Sequence, residues 1–259
     1  MLLAADIGNT NIVIGGIEAD AIVFEARIAT DRTKTADQYA VLIKNILSLY
    51  HVDPEQICDC MISSVVPPVL NAVSAAILKT TGHQPIVVGP GIKTGLNIKL
   101  ENPAAVGSDR IVATVGALAQ FKPPLILIDL GTATTFEVVD RDYNYIGGCI
   151  LPGVRTSMEA LISHSAQLPG ISLAQPQRLI GKNTVECMRS GVLYGAACLI
   201  DGMLENLEQE LGEKATVIAT GGMAQFIVPL CRRSIGLEND LILKGLQVIY
   251  QRNLRRKKA

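Results

Sequence analysis

A chain of 259 residues with 49% apolar and 18% charged residues can bury one large core or two modest ones, and is too apolar to be disordered. Its net charge of −1 and pI near 6.3 exclude an overall electrostatic draw toward nucleic acid or anionic membrane. No Cys-x-x-Cys pair occurs among its six cysteines, which argues against a zinc module; Cys58 and Cys60 in "ICDC" read as strand residues.

In chain order, residues 2–5, 12–17 and 21–28 are apolar and β-branched, predicting a meander of three strands. Residues 35–52 carry apolar positions at helical spacing behind Thr35 or Asp37 as a cap. A strand running to Pro67-Pro68, a helix over 69–81 and the short strand "PIVVG" complete a βββαβαβ unit. The second half repeats the order. "LILIDL", "TTFEVVD" and "YIGGCILPG" predict three strands, helical patterns follow at 153–164 and 184–212, then the strand "ATVIATGG" and a last helix at 239–257. The repetition implies two duplicated domains, residues 1–118 and 119–259, joined near "AQFKPP" where a helix ends at two prolines. With no signal-peptide pattern and no apolar run long enough to span a bilayer, the expected compartment is the cytoplasm.

Both halves open on the same device. "AADIGNTNIVIGG" drives a strand through Asp6 into Gly8, Asn9, Thr10 and Asn11, and "LILIDLGTATTFEVV" repeats it with Asp129, 123 residues after Asp6. Glycine lets a backbone approach a ligand, and turn amides beside polar side chains suit phosphate oxygens. Asp6 at a strand end suits magnesium, which is held by one or two carboxylates, waters and the phosphates themselves. Two such hairpins facing across a cleft would hold one polyphosphate from both sides. A third stretch, "VIATGGMA", sets Gly221 and Gly222 after a buried strand, where a base or ribose could lie against the backbone. In "VGSDR", Asp109 stands beside Arg110. The guanidinium favours an ionised carboxylate that can accept a hydroxyl proton, and its fork suits a substrate carboxylate. Ser108 or Asp109 could instead simply cap the helix that follows.

Hairpins and Gly-Gly turn in this order resemble the superfamily of acetate and sugar kinases, Hsp70 and actin. Within it, "DIGNTN" (6–11), "NPAAVGSDR" (102–110), "IDLGTATTF" (128–136), "GGCILPG" (147–153) and "IGKNTVECMRSGVLYG" (180–195) together resemble type III pantothenate kinase. The resemblance implies an α/β chain of two duplicated ribonuclease H-like domains, each a mixed sheet flanked by helices, in the actin-like ATPase fold. It implies ATP-dependent phosphorylation of pantothenate, the first step toward coenzyme A, in a homodimer whose active site lies at the subunit interface. By that resemblance Asp109 is the proton acceptor. Asp6, Ile7, Gly8, Asn9, Thr10, Asn11, Ile12, Val13 and Thr132 bind ATP, with Gly221 and Gly222 at the adenosine. Gly107, Ser108, Asp109, Arg110 and Thr184 touch pantothenate, although Thr184 could equally cap the long helix. Asp129 holds K⁺ or NH₄⁺, and Asp6 holds Mg²⁺ through water.

One position departs from the family pattern: Leu100 stands where relatives carry a substrate-lining Tyr. A missing neutral hydrogen bond costs about 0.5–1.5 kcal/mol, which keeps open a second reading, a kinase of another small hydroxyl compound. A third, a regulatory accessory protein without catalysis, draws on the five basic residues from Arg252 to Lys258. The plainer account of that tail is a solvated helix end at the negative pole of the dipole; neither nucleic acid nor membrane is an expected partner.

Overall fold

The computed structural model describes the backbone through Lys257 and side chains through Leu254; Arg255, Arg256 and the lysines of the basic tail therefore lie outside the described side chains. The chain forms two compact units, one of residues 1–96, 101–120 and the segment from Asp240, the other of residues 97–100 and 121–239.

In chain order the elements are β1 (Leu2–Ile7), β2 (Asn11–Glu18), β3 (Ala21–Ala29), α1 (Ala36–Leu49), β4 (Asp59–Ser64), α2 (Pro67–Thr81) and β5 (Ile86–Val87). Then come β6 (Asn97–Ile98), α3 (Ser108–Leu118), β7 (Leu125–Leu130), β8 (Ala133–Val139), β9 (Asn144–Pro152) and α4 (Val154–Ser163). The chain ends with α5 (Thr184–Leu211), β10 (Thr216–Thr220), α6 (Ala224–Ile227), β11 (Gly236–Leu237) and α7 (Leu241–Lys257).

The first unit carries a five-stranded sheet in the order β3-β2-β1-β4-β5. β1 pairs antiparallel with β2 and parallel with β4. It is buried along its whole length, because successive side chains point to opposite faces and both faces are covered. Leu3, Ala5 and Ile7 meet α1 and α2 residues such as Ile43, Leu47, Val73 and Ile77, whereas Leu2 and Ala4 meet Val112 and Val115 of α3 and Leu243 and Leu246 of α7. Helix α1 starts on a capping box, with Thr35 Oγ1 accepting from the Gln38 amide and the Gln38 side chain accepting from the Thr35 amide.

In the second unit the order is β11-β10-β7-β8-β9-β6. Read from β9 to β11, it repeats the first sheet strand for strand, with β6 added beyond β9. β7 takes the place of β1, antiparallel to β8 and parallel to β10. Ile126, Ile128 and Leu130 on one face of β7 pack against Leu193, Ala197 and Ile200 of α5. Two sheets of one topology are what the duplicated α/β reading required.

The last helix sits elsewhere than the sequence division placed it. Assigned there to residues 119–259, α7 packs in the first unit against α3. Glycines make this possible: a Cβ at Gly116 would stand 2.0 Å from the Leu241 carbonyl oxygen, and one at Gly245 1.9 Å from that of Val112. Strands β6 and β11, two residues each, and the four-residue α6 escaped the pattern because no periodicity can register over so short a run.

Candidate active site

The first hairpin closes tightly. Asp6 is buried near the end of β1, whereas Asn9, Thr10 and Asn11 are exposed at the turn. The Gly8 amide donates to the Asn11 carbonyl at 3.0 Å. Thr30 braces the turn from β3's far end, its hydroxyl donating to the Gly8 carbonyl at 2.7 Å and its amide to the Thr10 carbonyl at 2.9 Å.

Beside this hairpin stands the start of α3. Parallel pairing aligns Asp6 with Ser63 and Ile7 with Ser64, so the ends of β1 and β4 lie one strand spacing apart, about 4.8 Å. Ser108 is bonded to the end of β4. Its hydroxyl donates to the Ser64 carbonyl at 2.9 Å and accepts from the Ser64 amide at 3.1 Å and from the Ser63 hydroxyl at 3.0 Å. The Val65 amide donates to the Ile7 carbonyl at 3.1 Å. Asp109 and Arg110, half-buried, are thereby brought to the carboxyl ends of two parallel strands, the location where open α/β sheets bind ligands.

The capping expectation for this helix needs correction. Gly107 occupies the N-cap without a side-chain bond, because Ser108 is committed to β4. Asp109 does serve the first turn, its Oδ1 accepting from the Arg110 amide at 2.7 Å.

In the second unit the corresponding hairpin runs from Asp129 to Thr135, with the Gly131 amide donating to the Ala133 carbonyl at 3.0 Å. The Thr132 carbonyl accepts from the Gly153 amide at 3.1 Å and from the Thr156 hydroxyl at 2.8 Å. A Cβ at Gly153 would reach 2.4 Å from that carbonyl oxygen, so glycine is needed for α4 to start against the hairpin. Gly221 adopts φ +93°, and a Cβ there would meet Asp129 Oδ1 at 2.4 Å and Leu130 backbone atoms at 2.7 and 2.8 Å. Gly222 faces open space. The two glycines thus differ: Gly221 lets β10 turn against the end of β7, and Gly222 leaves room above.

Thr184 is exposed at the first position of α5, and Asn183 supplies the cap, Oδ1 accepting from the Glu186 amide at 2.9 Å. The reading of Thr184 as the cap is therefore corrected. Thr184 instead lines an apolar cavity of about 550 Å³ with Leu130, Leu151, Leu161, Cys187 and Met188, within the size range of small-molecule pockets. Leu100 lies against β9, its Cδ2 3.6 Å from where a Cβ on Gly147 would be.

Metal chemistry is sparse by construction. Among the described residues no group of three His, Cys, Asp or Glu could hold an ion, so a divalent ion here would lean on a single carboxylate and the phosphates, the usual manner of Mg²⁺ in kinases. Asp6 fits that donor set. Asp129 stands next to last in β7 as Asp6 does in β1, a carboxylate at the matching place in the second unit. Cys60 is core, its thiol pushed up to about 11 by burial, and all six cysteines are free.

Ser63, Ser64, Thr30 and Gly153 were not singled out from sequence. A polar pair ending an otherwise buried strand was the available signal for the two serines.

The family profile of type III pantothenate kinase matches residues 2–206. The chain belongs to that family. It is 46% identical over 253 residues to the type III pantothenate kinase of Exiguobacterium sp. (strain ATCC BAA-1283 / AT1b), covering 98% of this chain and 99% of the relative. With that of Moorella thermoacetica it shares 42% over 253 residues, 98% of this chain and all of the relative. Among solved structures, the activator of the 2-hydroxyisocaproyl-CoA dehydratase from Clostridium difficile superposes with a TM-score of 0.61 at 12% identity, covering 100% of this chain and 97% of the other. That likeness shows the fold alone, the actin-like ATPase fold. This chain is a kinase that phosphorylates pantothenate on the route to coenzyme A, using ATP with a divalent metal.

Proposed function

We propose that this pantothenate kinase uses Asp109 as its general base and Arg110 as the anchor for the pantothenate carboxylate. The observation that carries the reading is the three-bond attachment of Ser108 to Ser63 and Ser64, which fixes the adjacent carboxylate beside the hairpin of residues 6–13. Phosphoryl transfer depends on positioning and charge neutralisation. The primary hydroxyl of pantothenate donates a hydrogen bond to the Asp109 carboxylate and attacks the γ-phosphorus. As the new O–P bond forms and the bond to the ADP oxygen breaks, its proton passes to Asp109. Gly107 and Ser108 line the acceptor, and Thr184 contributes on the pantothenate side.

Residues 6–13 receive the ATP phosphates through turn amides and the Asn9, Thr10 and Asn11 side chains; Thr132, Gly221 and Gly222 also serve the nucleotide. A divalent ion near Asp6, through water, offsets phosphate charge when bound. Asp129 would hold K⁺ or NH₄⁺, offsetting the repulsion between its carboxylate and the phosphates. The enzyme acts as a homodimer in the cytoplasm, a setting that suits its free thiols. Exposed Leu161 and Leu199, which line the apolar cavity, offer the surface for a second copy.

The test is ATP-dependent phosphorylation of pantothenate in K⁺ and in Na⁺, with Asp109→Asn alongside. Turnover that needs K⁺ and drops about 10²–10⁴-fold in the variant is the expected result. An Asp109→Asn enzyme with unchanged kcat would remove Asp109 from the role of base.

A further inference from the structure

The first hairpin carries no cation of its own. Between Met1 and Asp31 the sequence holds a single basic residue, Arg27, and that one is engaged by Glu25 at 3.0 Å. Residues 123–140 hold none. A triphosphate seated on such turns brings several negative charges, and kinases answer them with metal ions and with Lys or Arg donors. Arg110, beside the hairpin at the start of α3, is assigned above to the pantothenate carboxylate; a further cation stands at the hairpin tip. Arg32, in the loop between β3 and α1, sets Nη2 3.5 Å from Asn9 Oδ1 at the hairpin tip.

The loop that carries Arg32 is built, and it is tied to the hairpin on one side and to the core on the other. Thr30 donates twice into the Gly8–Thr10 turn. Tyr39, fully buried, accepts from the Asp31 amide at 3.0 Å and donates to the Asp31 carbonyl at 2.7 Å. The neighbouring charges cancel each other. Lys34 Nζ donates to Asp31 at 2.6 Å, and with the Thr33 hydroxyl and amide it holds that carboxyl far below the usual carboxylate range. Asp31 is thereby satisfied without Arg32, and among the described residues no carboxylate pairs with Arg32. Its contact to Asn9 is long and uses one of five guanidinium donors. An exposed guanidinium, loosely held at the tip of a phosphate-binding turn, has its remaining donors available to an anion.

We propose that Arg32 contacts the polyphosphate of ATP on the first hairpin, with Thr30, Asp31 and Tyr39 holding its loop in place. This rests on the reading that residues 6–13 bind ATP. The contact goes to phosphate oxygens only, so it distinguishes nucleotides by their phosphates and leaves the nucleoside unaffected.

The experiment is calorimetric titration of the full-length protein with ATP and with adenosine, for wild type, Arg32→Gln, Arg32→Lys and Asn9→Asp, with thermal melting as a check of folding. Loss of a charge-assisted contact predicts that Arg32→Gln weakens ATP about tenfold, leaves adenosine within twofold and leaves the melting temperature in place, while Arg32→Lys recovers part of the loss. In steady-state kinetics the same change raises the KM for ATP and spares that for pantothenate. If Asn9→Asp loses ATP but Arg32→Gln does not, the proposal is overturned and the hairpin reading stands. Unchanged ATP binding in both variants overturns the hairpin reading and this proposal with it. Equal weakening of ATP and adenosine in Arg32→Gln also overturns it, because a purely structural role would act on both.

Discussion

The Ser108 hydroxyl gives a hydrogen bond to the Ser64 carbonyl at 2.9 Å and takes one from the Ser64 amide at 3.1 Å. One side chain thus closes both backbone groups of the last residue of β4 onto the first residue of α3. Whatever the neighbouring Asp109 does chemically, its position is inherited from this pair.

Replacing Ser108 by alanine removes these bonds and the one from Ser63, leaving part-buried backbone groups to find other partners. The expected loss of stability is about 1–3 kcal/mol. Because a displacement of the proposed base by even 1 Å is costly, kcat should fall more than the melting temperature alone would suggest. Ser108→Thr, which keeps the hydroxyl, should retain most of the activity. A Ser108→Ala enzyme with normal kcat would separate the attachment from catalysis.

Gly221 presents a different constraint. Its φ of +93° and its approach to Asp129 and Leu130 leave no room for a Cβ. Gly221→Ala should cost about 1–3 kcal/mol through overpacking and disturb the Asp129 carboxylate directly. Gly222→Ala, facing open space, should melt within a degree or two of wild type. Equal melting temperatures for the two alanine variants would contradict the packing seen here.

The acid limb of stability should be carried in part by Glu208. Burial pushes its carboxyl up, but bonds from the Lys214 ammonium and the Ala215 amide, with Arg233 nearby, more than reverse this and hold it below the ordinary value of 4.5. A carboxyl depressed in the folded state stabilises above its unfolded value and loses that contribution as pH falls. Glu208→Gln should therefore melt well below wild type near neutral pH, and the gap should narrow steadily below pH 4.5. A gap that stays constant across that range would show that the ionised carboxylate is not what matters.

Exposed Leu199 and Leu161, 41% and 46% accessible, give the proposed dimer its test. Leu199→Glu should shift sedimentation of the full chain from dimer to monomer, since a charge on an apolar interface must be desolvated to be buried. Wild type sedimenting as a monomer at micromolar concentration would remove the dimer from the account.

Much of the architecture was legible because its signals are local. Alternating and helical spacings located all the long strands and helices, and of the two caps the sequence offered for α1, Thr35 and Asp37, the structure uses Thr35. The two Asp-Gly hairpins, 123 residues apart, announced a duplication that the matching strand orders then displayed. The basic tail was less legible. Arg252 reads as a solvated helix end, yet its guanidinium donates to the Thr94 carbonyl while Asn253 exchanges bonds with the Lys93 backbone.

The sequence by itself determined the long elements, the doubled topology and the family, since periodicity, turn chemistry and motif spacing act over a few residues at a time. Only the tertiary structure decided that α7 belongs with α3, that Ser108 binds β4 instead of capping its own helix, and that Arg32 reaches Asn9. Each of these joins residues far apart in the chain or chooses between two partners of similar chemistry. Such choices are made by close packing and by which polar group is left to satisfy once the core has formed, and no local pattern records them.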